Sequence, residues 1–369
     1  MQKDVIVVGG GVIGSAIALR LAQAGLKVAV IERGRTGCEA SRAAAGMLSP
    51  QVDAQSRTPF FDLCLRSRAM WRDFAAELKD ATDIDTEYRD EGTLAVFIEG
   101  ERESDWVSWQ IDAGLRLEKL TVDEARRLEP AVTKLASRAV FVPGDHQVEN
   151  RRLMDALDVA MRRAGVEVIE GEEVTALVAE RGRVTGVVCR NRRLRAGTVV
   201  VAAGCWSSRL LSPLGLNIEI TPARGQMIAV RGNAAINHVL HSSQCYIVPR
   251  RDGRILIGAT VEYVGFEKAV TVGGVNQLLA AAIELVPAFE RFEIIESWSG
   301  LRPDTPDHLP IIGQSGVDNL LLATGHFRNG ILLAPATAEL IAGNITSGRI
   351  PDEMKHFGVE RFERTVSDL

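Results

Sequence analysis

An α/β fold of two lobes, the second of α+β type, is predicted from three observations. The chain opens on a strand, a glycine turn, a helix and a strand; the same doubly wound alternation returns twice further on; and two intervening stretches abandon it. At 369 residues the chain also exceeds one ordinary compact domain.

Taken in order, residues 5–8 form an unbroken apolar strand, 15–24 carry apolar residues at helical spacing, Gly25 stops that helix, and 27–31 return as a strand. This is one βαβ unit of the usual ~30 residues and the start of a Rossmann-type domain. A helix over 61–78, with Leu63, Leu65, Met70, Trp71, Phe74 and Leu78 at helical spacing, would cover the sheet. From 86 to 142 the pattern is mixed, with a strand at 92–98 and a capping box, Thr121 with Glu124, opening a short helix. The alternation returns at 151–204 as a helix over 153–163, a strand over 165–169, a hairpin with arms 173–179 and 184–189, and a strand over 198–204. Residues 220–299 depart again, with a hairpin over 246–258 turning at Asp252-Gly253 and an uncharged stretch, 269–283, that reads as an amphipathic core helix. A strand over 320–325 and a helix over 330–342 complete the first domain. The expected division is 1–85, 143–219 and 300–369 for a nucleotide-binding domain, and 86–142 with 220–299 for a substrate-binding domain.

Gly9, Gly11 and Gly14 fit G-x-G-x-x-G directly after a strand and directly before a helix, the context in which the motif marks a dinucleotide site. The helix N-terminus attracts the pyrophosphate, and the third glycine lets helix and strand pack closely. Glu32, at the end of the second strand, accepts hydrogen bonds from a ribose diol and repels a 2′-phosphate, which favours FAD or NAD over NADP. A second such motif, which passing electrons between FAD and NAD would require, is not seen. The small residues of 40–50, with Gly46, suit either a flat ring lying against backbone or an ordinary loop.

Arg302 in Ser-Gly-Leu-Arg-Pro-Asp and Arg328 in His-Phe-Arg-Asn-Gly lie in Gly/Pro-rich segments read as loops. A guanidinium there binds a carboxylate as a planar fork or ties loop carbonyls together. Tyr246 can donate a further bond, Met47 can floor a pocket or fill a gap, and His326 can tune a flavin or simply pack. The helix beginning near Gly330 would aim its positive end at a flavin ring.

With 43 basic and 48 acidic residues the net charge is −5, and the arginine doublets at 126–127, 151–152, 162–163, 192–193 and 250–251 read as dispersed, solvated surface. Neither nucleic acid nor a membrane is an expected partner. Five scattered cysteines without Cys-x-x-Cys or zinc-ligand spacing point to reduced thiols and no metal. A first strand beginning by residue 4 or 5 leaves no room for a signal peptide, so a cytoplasmic location is expected.

Residues 7–14, 43–47, 200–204, 300–303, 309–313 and 324–333 together resemble the glycine oxidase branch of the D-amino acid oxidase and sarcosine oxidase flavoprotein family, over essentially the whole chain. The resemblance implies a FAD-binding lobe with an antiparallel-sheet substrate lobe. It implies cofactor contacts at Gly9, Gly11, Val12, Ile13, Gly14, Glu32, Arg33, Ser41, Ala44, Ala45, Gly46, Met47, Val174, Ala203, Gly204 and Trp206, and again at Arg302, His326, Phe327, Arg328, Asn329, Gly330, Ile331 and Leu332. The substrate carboxylate falls to Arg302, assisted by Tyr246, with Arg328 and Met47 nearby. Glycine, sarcosine or small D-amino acids are the implied substrates and O2 the acceptor. The implied product is the imine used for the thiazole ring of thiamine, and the implied assembly a homotetramer. With no cysteine after Cys245 and no histidine between 32 and 50, the FAD is expected to be non-covalent. The competing readings are a quinone-linked D-amino acid dehydrogenase and a flavin-binding partner without turnover.

Overall fold

Val5 and Val7 pack into one buried cluster and Ile6 and Val8 into another, so strand Lys3–Val8 is covered on both faces. The computed structural model describes residues 2–52, 54–98, 106–190 and 192–366; residues 99–105 of the predicted second lobe lie outside the described residues. Lys3–Val8 pairs in parallel with Val28–Ile31 on one side (Val5 opposite Val28) and with Arg193–Val201 on the other (Val5 opposite Thr198). Glu167–Ile169 and Leu320–Thr324 extend the sheet in parallel, and Ile311–Gln314 closes one edge antiparallel. Helices Val12–Gln23, Pro59–Thr82, Asn150–Arg163 and Gly330–Ser347 cover the first face. The hairpin Val174–Glu180/Arg183–Cys189 and helix Ser207–Leu211 cover the second. Among the described residues, no helix is long and apolar enough to cross a membrane.

The second sheet runs Glu293–Asp304, Thr221–Arg231, Ile255–Gly258, Tyr246–Pro249, Val239–His241, Thr93–Ile98, Ala136–Val142, Glu118–Leu120. It is antiparallel except where Val239–His241 pairs in parallel with Thr93–Ile98. Alternation again sorts its side chains. Ile228, Val230, Ile247 and Ile257 pack beneath helix Val272–Leu285, while Met227, Ala229, Val248 and Leu256 form a smaller cluster with Met47, Tyr246 and Trp298. That smaller cluster faces the first domain.

Two local expectations change. The uncharged stretch 269–283 is helical only from Val272, because the Thr271 hydroxyl caps the helix by accepting from Gly274 N at 3.1 Å. Arg302 lies in a strand, not a loop: Glu293–Asp304 runs unbroken across residue 300, with Arg302 opposite Ala223 and Asp304 opposite Thr221. Residues 300–304, assigned from sequence to the first domain, are thus hydrogen-bonded into the second sheet, where pairing with Thr221–Arg231 outweighs the Gly and Pro content.

Candidate functional site

A cavity of about 610 Å³ lies between the two lobes. Its wall includes Gly9, Gly11, Val12 and Ile13 of the glycine turn, Glu32 and Arg33, Ser41 and Ala44 to Met47, Val174, and Ala203, Gly204 and Trp206. Tyr246 and Arg302 arrive from the second sheet, and His326 to Ile331 from the turn and helix after strand Leu320–Thr324. Two of the expected residues stand behind the wall. Gly14 carries the packing instead: a Cβ there would sit 2.0 Å from the Gly9 carbonyl oxygen. Leu332 is buried, and its carbonyl accepts from Ser67 Oγ (2.6 Å) and Trp71 Nε1 (2.9 Å).

At one end the parts of a dinucleotide site are held in place before any ligand arrives. Glu32 accepts from Gly10 N (2.9 Å) through Oε2 and from Gly34 N (2.8 Å) through Oε1, which fixes its carboxylate while leaving lone pairs for further donors. Ser41 Oγ accepts from Val12 N at 2.9 Å, and the Asn150 amide donates to the carbonyls of Ser41 and Arg42. The Arg33 guanidinium lies 3.5 Å from the centroid of Trp206, a cation stacked on an aromatic face. Helices Val12–Gln23 and Gly330–Ser347 both begin on this cavity with no cap from the residue that precedes them, Ser41 holding only the first N–H of the former, so the positive ends of two helix dipoles face it.

Arg302 and Arg328 line the same cavity. Arg302 Nη1 donates to the Thr260 carbonyl at 3.0 Å, so the guanidinium does tie a carbonyl while it lines the cavity. It has room because the neighbouring strand carries Gly225, where a Cβ would lie 2.3 Å from Nη1. Asp304, buried two residues on, accepts from the Tyr263 hydroxyl (2.6 Å) and meets His308 Nδ1 (2.7 Å). The His308 ring stacks on Phe327 with centroids 5.2 Å apart, and the exposed Arg328 guanidinium sits 5.5 Å from the Phe327 centroid. One chain of contacts therefore links the strand bearing Arg302 to the turn bearing Arg328. The apolar wall is supplied by Met47, Met227 and Tyr246, whose hydroxyl donates to Met227 Sδ at 3.3 Å.

His326 is buried, with Nε2 3.1 Å from Thr337 Oγ1, and burial lowers its pKa to about 3. It is a neutral, packed ring. The reading of 250–251 as solvated surface is corrected: Arg251 is exposed, but Arg250 is 7% exposed and its guanidinium donates to four acceptors of the first domain. A doublet in a polar turn offers no clue that one member folds inward. Gly225, Met227 and Thr260 were missed for a related reason, since their roles exist only once the strands are paired. So were Phe266 and Lys268, which bring an exposed loop onto Trp206 (5.4 Å between centroids) and Glu39 (2.7 Å).

A model of the family DAO, FAD dependent oxidoreductase, matches residues 4–343. The chain is 39% identical over 376 residues to the bifunctional protein ThiO/ThiG of Trichormus variabilis, covering 100% of this chain and 56% of that protein, so it spans about half the length of such bifunctional relatives. It is 36% identical to a glycine oxidase of Bacillus licheniformis, with 98% of each chain covered. The crystal structure of glycine oxidase from Geobacillus kaustophilus matches with a TM-score of 0.93 at 35% identity, over 97% of this chain and 98% of that one.

Proposed function

The chain belongs to the DAO family of FAD-dependent oxidoreductases, and from that premise we propose that it oxidises glycine to the imine and reduces O2 to hydrogen peroxide, with sarcosine and small D-amino acids as further substrates. The observation that carries this reading is a single cavity lined both by the dinucleotide turn and by the Arg302 and Arg328 guanidiniums. The residues present fit FAD: the Glu32 carboxylate suits a ribose diol, the two helix N-termini suit phosphate and an electron-rich ring, and bound FAD supplies the hydride acceptor.

The chain's own residues supply position. Arg302 holds the substrate carboxylate as a planar fork, Arg328 adds positive potential at the exposed rim, and Tyr246 adds a donor from the apolar wall. Holding both reacting groups in one orientation is where the rate arises. Met47, Met227 and Tyr246 give the substrate an apolar wall. The imine is then a building block for the thiazole ring of thiamine, in keeping with the bifunctional ThiO/ThiG relatives.

The test is peroxide production by purified yellow protein in air with glycine, sarcosine, D-alanine, L-alanine and D-proline. Fastest turnover on glycine or sarcosine supports the reading; bleaching of the flavin by D-amino acids without peroxide overturns its oxidase half. The FAD is held without a covalent bond in this reading. Cys205 and Cys245 line the cavity, but burial pushes their thiols up to about 12 and about 11, so neither supplies a thiolate at neutral pH. Acid precipitation is expected to leave all flavin in the supernatant, and a yellow pellet would refute non-covalent binding. Free thiols on all five cysteines suit a reducing, cytoplasmic compartment. The homotetramer we propose is checked by light scattering.

A further inference from the structure

Arg250 directly follows strand Tyr246–Pro249 of the second sheet, and its side chain crosses to the first domain. Its Nη2 donates to the Ala45 carbonyl (2.5 Å) and Asn150 Oδ1 (3.2 Å), and its Nη1 to the Val148 carbonyl (2.9 Å) and Gln147 Oε1 (3.2 Å). None of these four acceptors is a carboxylate, and Nε finds no hydrogen-bond partner among the described residues. Burial lowers its pKa to about 10, so the charge is kept at neutral pH. The Glu149 carboxylate, with Glu87 and Asp252, favours the charge from a distance without hydrogen-bonding it, and neutral donors would tie two lobes together at less desolvation cost. The charge points to a task beyond tethering.

That task is set by peptide geometry. Ala45 and Gly46 line the cavity, whereas Arg250 stands behind them and does not. The Ala45 carbonyl is drawn back toward Arg250, and in a trans peptide the following N–H points the opposite way. The Gly46 N–H is therefore turned toward the cavity, and the Arg250 charge polarises that same peptide. The segment is held at its other points too: the Gly46 carbonyl accepts from Val148 N at 2.9 Å, and a Cβ on Gly46, whose φ is +71°, would lie 2.0 Å from the Val148 oxygen. A dinucleotide with its ribose at Glu32 would lie in the cavity that Arg302 and Arg328 also line. Met47 and Gly46 stand there, and Trp298 Nε1, from the strand that carries Arg302, donates to the Ala43 carbonyl at 3.0 Å.

We infer that Arg250 is a positioning residue: by holding the Ala45 carbonyl from behind, it presents the Gly46 N–H as a hydrogen-bond donor to a polar atom of the bound flavin ring. The inference rests on the FAD reading above. Its test compares wild-type protein with Arg250→Met and Arg250→Lys in FAD dissociation constant and visible flavin spectrum, with circular dichroism of each apoprotein as the check on folding. Methionine is expected to raise the FAD Kd about tenfold or more and to displace the flavin absorption maxima. Lysine keeps the charge but not the fork, so it restores part of both. An unchanged spectrum in a folded methionine variant overturns the inference, even with a raised Kd, because Arg250 would then only join the lobes. If the methionine variant does not fold, the lysine variant decides by the same criterion. Wild-type protein that binds FAD yet makes no peroxide from glycine sinks the functional reading and leaves this comparison standing.

Discussion

Arg302→Leu is expected to raise the KM for glycine on the order of a hundredfold or more, while FAD content stays at the wild-type level. Two charge-assisted hydrogen bonds to a carboxylate, each worth about 1.5–3 kcal/mol, set that magnitude, and leucine keeps neither. FAD content should hold because the Glu32 end of the cavity is organised by Gly10, Gly34 and Ser41, none of which touches Arg302. Some stability is lost as well, since the Thr260 carbonyl loses its donor. Arg302→Lys should fall between the two, because a point charge replaces the fork. Steady-state kinetics of the yellow protein decide the matter, and an unaltered KM removes Arg302 from the substrate site.

Gly14→Ala should yield protein that purifies nearly colourless, although residue 14 does not itself line the cavity. The new methyl would lie 2.0 Å from the Gly9 carbonyl oxygen and 3.2 Å from Val7 Cγ1, and backbone cannot yield as a flexible side chain does. Helix Val12–Gln23 must move off strand Lys3–Val8, carrying Gly11, Val12 and Ile13 with it. Overpacking of this kind costs about 1–3 kcal/mol, so a lowered melting temperature should accompany the loss of flavin. The ratio of flavin to protein absorbance reads the outcome. A full complement of FAD would show that the helix and strand tolerate separation.

The nucleotide-binding half was largely legible because its signals are local. The apolar run from Val5 to Val8 and the glycines at 9, 11 and 14 each declare their element within a few residues, and Thr121 with Glu124 forms the capping box expected of that pair. Around Arg302 the local signal misled. Glycine and proline suggested a loop, and the strand that formed owes its existence to Thr221–Arg231, some eighty positions earlier in the chain. Arg250 misled in the same way, as its four acceptors come from segments separated from it by 100 to 205 positions.

Periodicity, turn chemistry and side-chain type are properties of neighbouring residues, and they sufficed for the dinucleotide turn, for most first-domain elements other than edge strand Ile311–Gln314 and helix Ser207–Leu211, and for the charged residues able to hold a carboxylate. Long-range pairing and packing bring Arg302 and Arg328 to one cavity, leave the guanidinium its space at Gly225, set Gly14 and Leu332 behind the wall instead of in it, and bury Arg250 beneath Ala45. Those outcomes depend on which distant segments pair and pack, and in the strand Glu293–Asp304 a one-residue change of register would turn Arg302 to the opposite face.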